Sequence, residues 1–572
     1  MSSITEHKKI PRNTALFSVF AVVPAVIAIT VFQIYRLWPA LPTVLQDEYV
    51  YSVGSKYGGA EEAARFGNFL YYELYRVTVH CGPEFYSCAR VINGFWYVGL
   101  LLVLYAYSMR YFSRSISLLL VVSIGLGPFG LYVSLFMPEV MAYFFVSLGI
   151  LFFTAYWEST IDRVWSAPLL LAFAAIGIGS LVKPHAAFLA IGLIVLMVVK
   201  ALSLRNEWVK TIKQLLSGLG IFAFVKFSIG FMLAGSAGLT MFGNSYTGAL
   251  TDFFSDLLDG NSTGSNTVSG AGEISPDLNS QSILGYLDVL TIHFGVLLLV
   301  IAMMMGPLLG TLIFRGDGLW KDPFTLLGSQ VIIVGGIVSV FAAHVTAQGD
   351  DHSDRLLLRY FEYLVPFMFI LGIHKAQKYK LRGWRQYVSL VFATLSIIII
   401  FTNIQERQWG IVDSAFLYSI FSSQDSQWLW AAAIAIMTYL IFVPTRLRLL
   451  GALSVLAGAI AIVGQMGVSN QLQINSTKVA SDYAGEFVYE NFPEVRGEDI
   501  LVLGSNRKLV EASMFAIDKA NIDFQLLPEG SVLSTEAVSD DYKLVVETTG
   551  VFLDRDGGTL ITGEGFAVTL FD

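Results

Sequence analysis

Two adjacent carboxylates, Asp47 and Glu48, follow the first apolar stretch of the chain. A carboxylate can accept the proton of a hydroxyl group that attacks another molecule, which is the task of a general base. We expect Asp47 to be this base and Glu48 to assist it or orient the hydroxyl. The alternative is a pair of solvated loop carboxylates. Tyr49 comes next and could contact a substrate or lie in an aromatic belt at a membrane surface.

A second set of residues has the chemistry to bind a phosphate. Lys183 and His185 lie on either side of a proline between two apolar stretches, where a lysine costs free energy unless it has a partner or reaches the interface. Arg355, Arg359 and Tyr360 precede a later apolar stretch. A guanidinium can donate two parallel hydrogen bonds to phosphate oxygens, so Arg359 is the strongest candidate.

Each of these residues also has a structural interpretation. Lys183 could extend to the interface without binding anything, and Glu362 could pair with Arg359. Glu139 follows Pro138 at the start of an apolar stretch, where a carboxylate could serve the reaction or only stabilise the positive end of the helix dipole. Lys226, in the middle of an apolar stretch, is a further functional candidate without an evident partner.

The composition indicates the class of protein in which these residues are held. Of 572 residues, 55% are hydrophobic and only 14% are charged, which is typical of a polytopic membrane protein. The net charge of -8 and the absence of a basic stripe argue against nucleic acid as a partner. Apolar windows long enough to span a bilayer predict about 13 transmembrane helices. They fall at 15–35, 91–109, 116–135, 138–157, 165–182, 185–200, 215–235, 286–313, 325–347, 360–374, 387–402, 428–443 and 449–466.

The distribution of charge predicts the orientation. If the N-terminus is cytoplasmic, Lys and Arg concentrate in the loops on the cytoplasmic side, as the positive-inside rule requires. The loop 236–285, on the other side, contains no Lys or Arg but several acidic residues. We therefore expect a multi-pass plasma-membrane protein whose Asp47, Lys183 and Arg359 all face the exterior. Cys81 and Cys88 share the first external loop, where a disulfide is chemically permitted.

The sequence after the last span changes character. Helical patterns at 481–492 and 507–519 alternate with strand-like segments at 499–503, 522–526 and 542–546. This alternation predicts a small external α/β domain with a parallel sheet, over residues 467–572, after a membrane domain over residues 1–466. Gly504 follows a predicted strand, but a lone glycine is weak support for nucleotide binding.

Several short motifs occur together on the predicted external side: Asp47-Glu48 followed by Tyr49, Pro138-Glu139, Lys183-Pro184 and Arg359-Tyr360. Their order resembles that of the GT-C superfamily of polyprenyl-phosphate-dependent glycosyltransferases, in the branch of protein O-mannosyltransferases and lipid A aminoarabinose transferases. The resemblance covers roughly residues 15–375. It implies a catalytic base at Asp47, a second acidic position at Glu139, and lipid-phosphate contacts at Lys183 and Arg359.

The resemblance implies an inverting transfer of one sugar from a polyprenyl-phosphate donor to a cell-envelope glycan or glycolipid, at the external membrane surface. The C-terminal domain departs from the common pattern and leaves the sugar, mannose or arabinose among others, undetermined. Two other functions remain open: a flippase or transporter of lipid-linked sugars, and a glycan ligase or polymerase that uses lipid diphosphates. A divalent cation could bind oxygens of Asp47, Glu48 and Glu139, but phosphate contacts from Lys and Arg would suffice, so no metal is predicted.

Overall fold

The computed structural model describes most of the chain. The described ranges are 12–59, 65–159, 164–203, 207–243, 322–347, 358–378, 384–401, 413–442, 447–534, 542–548, 550–554 and 558–571, with a few isolated positions between them. Arg355 and nearly all of the predicted span 286–313 lie outside these residues.

The membrane domain consists of helices. They are α1 (Arg12–Leu37), α2 (Leu45–Lys56), α3 (Phe69–Tyr75), α4 (Phe85–Ser108), α5 (Arg114–Gly125), α6 (Glu139–Glu158), α7 (Ala167–Val182), α8 (Ala187–Ser203), α9 (Trp208–Ala234), α10 (Pro323–Ala347), α11 (Val365–Lys378), α12 (Trp384–Phe401), α13 (Ala415–Phe421), α14 (Gln424–Phe442) and α15 (Leu447–Asn475). Every predicted window except 286–313 falls on one of them.

Five helical segments of the described residues are long and apolar enough to cross a membrane, and a bent pair could form a sixth. That pair is α5 with the 3-10 turn Pro128–Ser134, which meet at 53°. The break follows from the sequence, because Pro128 cannot continue the hydrogen-bond ladder of the helix. The chain is thus an α-helical membrane protein, and shorter apolar helices such as Ala167–Val182 complete the bundle.

The C-terminal domain contains two helices and a mixed sheet. Helices α16 (Ala480–Asn491) and α17 (Arg507–Ile517) pack with strands β1 (Ile500–Gly504), β2 (Asp523–Leu526), β4 (Leu544–Glu547), β6 (Thr559–Gly563) and β7 (Phe566–Leu570) in the order β2-β1-β4-β7-β6. Strands β3 (Val532–Leu533) and β5 (Phe552–Leu553) form a separate small pair.

The predicted parallel sheet describes only part of this domain. Strand β1 runs parallel to β2 and β4, with Leu501 opposite Asp523 and Ile500 opposite Leu544. The pairs β4-β7 and β6-β7 are antiparallel. Helix α15 continues to Asn475, so the predicted boundary at 466/467 lies inside a helix.

The two cysteines of the chain, Cys81 and Cys88, form a disulfide. The bond closes the 3-10 segment Arg76–Glu84 onto the start of α4. We expect no free thiols in unfolded, unreduced protein and two after reduction. A thiol titration that gives two equivalents before reduction would contradict the bond.

Candidate active site

Asp47 lies in the first turn of α2 and faces Arg359. Its Oδ2 is 3.0 Å from Nη1 of Arg359. The Arg359 side chain is buried, whereas that of Asp47 is 36% exposed. Asp47 therefore contacts a buried guanidinium and remains accessible to another molecule.

Glu139 and Lys183 form a buried ion pair beside Arg359. Glu139 begins α6, and Lys183 directly follows α7, which ends where Pro184 disfavours further helix. The Lys183 ammonium donates a hydrogen bond to Oε1 of Glu139, and the same oxygen is 3.8 Å from Nη1 of Arg359. Since both side chains of the pair are buried, Lys183 does not snorkel, and Glu139 does more than stabilise a helix end.

His185 and Tyr360 join the same group of residues. Their rings stack with centroids 3.8 Å apart and planes within 5° of each other. The Tyr360 hydroxyl accepts a hydrogen bond of 3.3 Å from Nη2 of Arg359, and the Lys183 ammonium lies 4.9 Å from the centre of the Tyr360 ring. The structure thus brings together Asp47, Glu139, Lys183, His185, Arg359 and Tyr360, which come from four separate parts of the sequence.

The backbone of Arg359 is fixed by residues that the sequence did not single out. Its N–H donates to the carbonyl oxygen of Asp413 at 2.8 Å, and its carbonyl oxygen accepts from the Tyr143 hydroxyl at 2.6 Å. A tyrosine within an apolar helix gives no pattern from which this contact could have been found. The alternative pair of Glu362 with Arg359 does not form: the Glu362 carboxylate accepts hydrogen bonds from Tyr132 at 2.6 Å and from Ser414 at 2.7 Å.

Glu48 is not placed for catalysis, which corrects the prediction that it assists Asp47. Its carboxylate is completely buried and accepts hydrogen bonds from the backbone N–H groups of Thr43, Val44 and Phe136 and from the Tyr86 hydroxyl, all at 2.7 to 2.8 Å. Burial raises the pKa of Glu48, and these hydrogen bonds oppose that rise. Glu48 therefore fixes the start of α2.

Two other candidate residues, Tyr49 and Lys226, make their hydrogen bonds elsewhere. Tyr49, a candidate for contact with substrate or for an aromatic belt, donates its hydroxyl to the carbonyl oxygen of Lys519 in the C-terminal domain, at 3.0 Å. Arg355 lies outside the described residues. Lys226 is buried in α9 and donates to the carbonyl oxygen of Ser180 at 3.1 Å.

Asp47, Glu48 and Glu139, the residues whose oxygens could bind a cation, do not form a metal site. Glu48 turns away from Asp47, and Glu139 is paired with Lys183. Within the described ranges, no group of three or more His, Cys, Asp or Glu side chains could hold a metal ion.

The arrangement combines a partly exposed carboxylate with two buried cations. Lys183 and Arg359 can stabilise negative charge at low effective dielectric, where such stabilisation is strong. Asp47 can accept a proton beside them. Nε of Arg359 and Oε2 of Glu139 have no hydrogen-bond partner in the described part of the chain, although both are buried.

A comparison with protein families finds a similarity over part of the chain. Residues 88–229 match the model of the family described as dolichyl-phosphate-mannose-protein mannosyltransferase, and this segment contains Glu139, Lys183 and His185. No curated protein sequence matches the chain.

Two solved structures are similar in fold at low sequence identity. The apo structure of ArnT from Cupriavidus metallidurans is 13% identical, with 97% of this chain and 98% of that chain covered and a TM-score of 0.46. The oligosaccharyltransferase AglB from Archaeoglobus fulgidus, solved with an inhibitory peptide and a dolichol-phosphate, is 13% identical, with 91% and 69% covered and a TM-score of 0.40.

The helical membrane fold and the family match over residues 88–229 agree with the motifs found in the sequence. The chain thus has a helical membrane fold, and its residues 88–229 are similar to the family described as dolichyl-phosphate-mannose-protein mannosyltransferase.

Proposed function

We propose that the protein transfers one sugar from a polyprenyl-monophosphate donor to a hydroxyl group of a cell-envelope glycan or glycolipid, with inversion at the anomeric carbon. The observation that carries this proposal is the position of Asp47, which is partly exposed and 3.0 Å from a buried arginine. A base next to a cationic site suits a reaction in which a hydroxyl attacks and a phosphate leaves.

In the proposed reaction Asp47 takes the proton of the acceptor hydroxyl. The acceptor oxygen forms a bond to the anomeric carbon while the bond between that carbon and the phosphate oxygen breaks. The ion pair with Arg359 engages Oδ2 of Asp47, so Oδ1 is the oxygen that would receive the proton. Polyprenyl phosphate is the leaving group, and a single displacement of this kind inverts the anomeric centre.

Lys183 and Arg359 would hold the leaving phosphate. Its oxygens could accept the N–H of Arg359 Nε, which has no partner among the described residues. Glu139 keeps Lys183 and Arg359 together, because like charges in a buried site would otherwise repel each other. Tyr360 and His185 form an aromatic surface beside them, suited to the apolar face of a sugar.

We also propose that the site and the C-terminal domain face the exterior of the plasma membrane. The charge distribution of the loops supports this orientation. The Cys81–Cys88 disulfide supports it too, because disulfides persist in oxidising compartments.

A comparison of donors tests the proposed function. Purified protein in lipid nanodiscs is given envelope acceptor and the same labelled sugar on a polyprenyl monophosphate, a polyprenyl diphosphate or a nucleotide. We expect transfer from the monophosphate only, because the two cations Lys183 and Arg359 suit a single phosphate group. NMR of the product should show inverted anomeric configuration.

The sugars tested should follow those missing from the envelope of a strain that lacks the protein, as measured by mass spectrometry. Transfer from the nucleotide or the diphosphate in preference to the monophosphate would contradict the proposed donor. Retained configuration would contradict the single displacement.

A further inference from the structure

The C-terminal domain contacts the helix that carries Asp47. Near the start of α2, the Tyr49 hydroxyl donates to the carbonyl oxygen of Lys519 at 3.0 Å. At the end of α2, the Lys56 ammonium forms an ion pair with Asp518, and both side chains are almost fully buried, at 1% and 5% exposure. The domain therefore holds α2 at both ends.

A third contact inserts a C-terminal residue into the membrane domain. The ring of Phe515, on α17, lies 5.3 Å from that of Phe85 and 5.5 Å from that of Tyr86. It belongs to the same buried apolar cluster as Phe136. Tyr86 in turn donates its hydroxyl to Glu48, the neighbour of Asp47.

The buried charges of Lys56 and Asp518 compensate each other. Burial lowers the pKa of Lys56 to about 8 and raises the pKa of Asp518, while each charge partly offsets the shift of the other. Removal of one member would leave an uncompensated charge in a buried contact, which is strongly destabilising. The backbone also presents Asp518 to Lys56: Asp518 ends α17 in the left-handed conformation, with φ of 55°.

Helix α17 also lies beside the Asp47 end of α2. Glu511, which pairs with Arg507 at 2.9 Å, is largely buried, and its pKa is raised by burial and, to a smaller extent, by the charge of Asp47. The surroundings of Asp47 thus include the membrane domain on the Arg359 side and the C-terminal domain on another.

We propose that the C-terminal domain is a working part of the transfer site: it holds α2 at Tyr49 and Lys56 and so keeps Asp47 in position opposite Arg359. Lys56, Phe515 and Asp518 are positioning residues, since none of them touches the reacting groups. The inference rests on the proposed role of Asp47. Its physical basis is that a general base must be held within a fraction of an ångström, and a displacement of about 1 Å can cost about 100-fold in rate.

The test combines a structural and a kinetic measurement on the full-length protein. Asp518→Asn removes the charge while asparagine still tolerates the left-handed backbone. We expect faster hydrogen exchange of the amides of α2 and a fall of about 100-fold in kcat, with the donor KM within about twofold of the wild type. Lys56→Met should do the same, and the double variant Lys56→Met/Asp518→Asn should recover much of both losses because no charge is left unpaired.

Lys478→Met is the control. Lys478 pairs with Glu486 on the same domain, but both side chains are about 40% exposed, and neither contacts α2. This variant should leave exchange and kcat unchanged. If Asp518→Asn does not fold, Phe515→Leu removes the ring contacts and keeps an apolar side chain, and the same two effects are expected.

Faster exchange of α2 with normal kcat would show that the position of α2 is not needed for transfer. Unchanged exchange would show that these contacts do not hold the helix. Either result overturns the inference and leaves the proposed function intact. Failure of the wild type to transfer from any polyprenyl-monophosphate sugar would contradict the proposed function, whereas the exchange measurement would still report on the contacts.

Discussion

Asp47→Asn is expected to lower the rate of sugar transfer by about 100- to 10,000-fold, while the protein still folds and binds its donor. Asparagine has nearly the same shape as aspartate, and its amide oxygen can still accept a hydrogen bond from Arg359. What it loses is the capacity to take the proton of the acceptor hydroxyl. The measurements are kcat with a defined polyprenyl-phosphate sugar, donor binding, and thermal stability.

Glu48→Gln provides the contrast at the adjacent position. An amide nitrogen in place of one carboxylate oxygen would face backbone N–H groups or the Tyr86 hydroxyl, and would leave buried donors unsatisfied at about 1 to 3 kcal/mol of stability. We therefore expect a lower melting temperature and a smaller loss of activity per folded molecule than for Asp47→Asn. An inactive Glu48→Gln together with an active Asp47→Asn would mean that the base is the other carboxylate.

These two neighbours show where sequence reasoning succeeds and where it fails. In an irregular loop, two adjacent carboxylates could act on the same substrate. The structure has a helix from Leu45, and successive residues of a helix point about 100° apart, so that Asp47 faces Arg359 while Glu48 and Tyr49 turn elsewhere. No apolar window covers α2, so the sequence predicts neither this helix nor the direction in which its polar residues face.

The sequence predicts which residues gather around Arg359, but not which of them pair with each other. Charge distribution and motif order placed Asp47, Glu139, Lys183 and Arg359 on one side of the membrane. Nothing local distinguishes Glu139 from Glu362 as the partner of Arg359, and the choice depends on how α6 packs against the turn at Leu358–Tyr360. The Lys56–Asp518 pair, 462 residues apart in the sequence, has no local signal at all.

Arg359→Lys is expected to lower kcat/KM for the donor by about 10- to 1,000-fold, equivalent to about 1.4 to 4 kcal/mol of barrier. Lysine keeps the positive charge but loses the planar fork that can bind two phosphate oxygens at once. It also loses Nε, the buried donor for which no partner exists among the described residues and which the donor phosphate is proposed to satisfy. The effect should appear with the polyprenyl-phosphate donor and leave KM for the acceptor little changed.

Arg110→Lys is the matched control for this substitution. Arg110 also pairs with a carboxylate, Glu158, but at the opposite end of α6 from Glu139 and with both side chains partly exposed. Arg110→Lys should therefore lower activity and stability only slightly, because partly exposed ion pairs contribute about 0 to 1 kcal/mol. Retention of full activity by a stable Arg359→Lys variant would show that Arg359 needs only its charge, as in a structural pair with Asp47 and Glu139. Lys183 would then be the cation that holds the leaving phosphate.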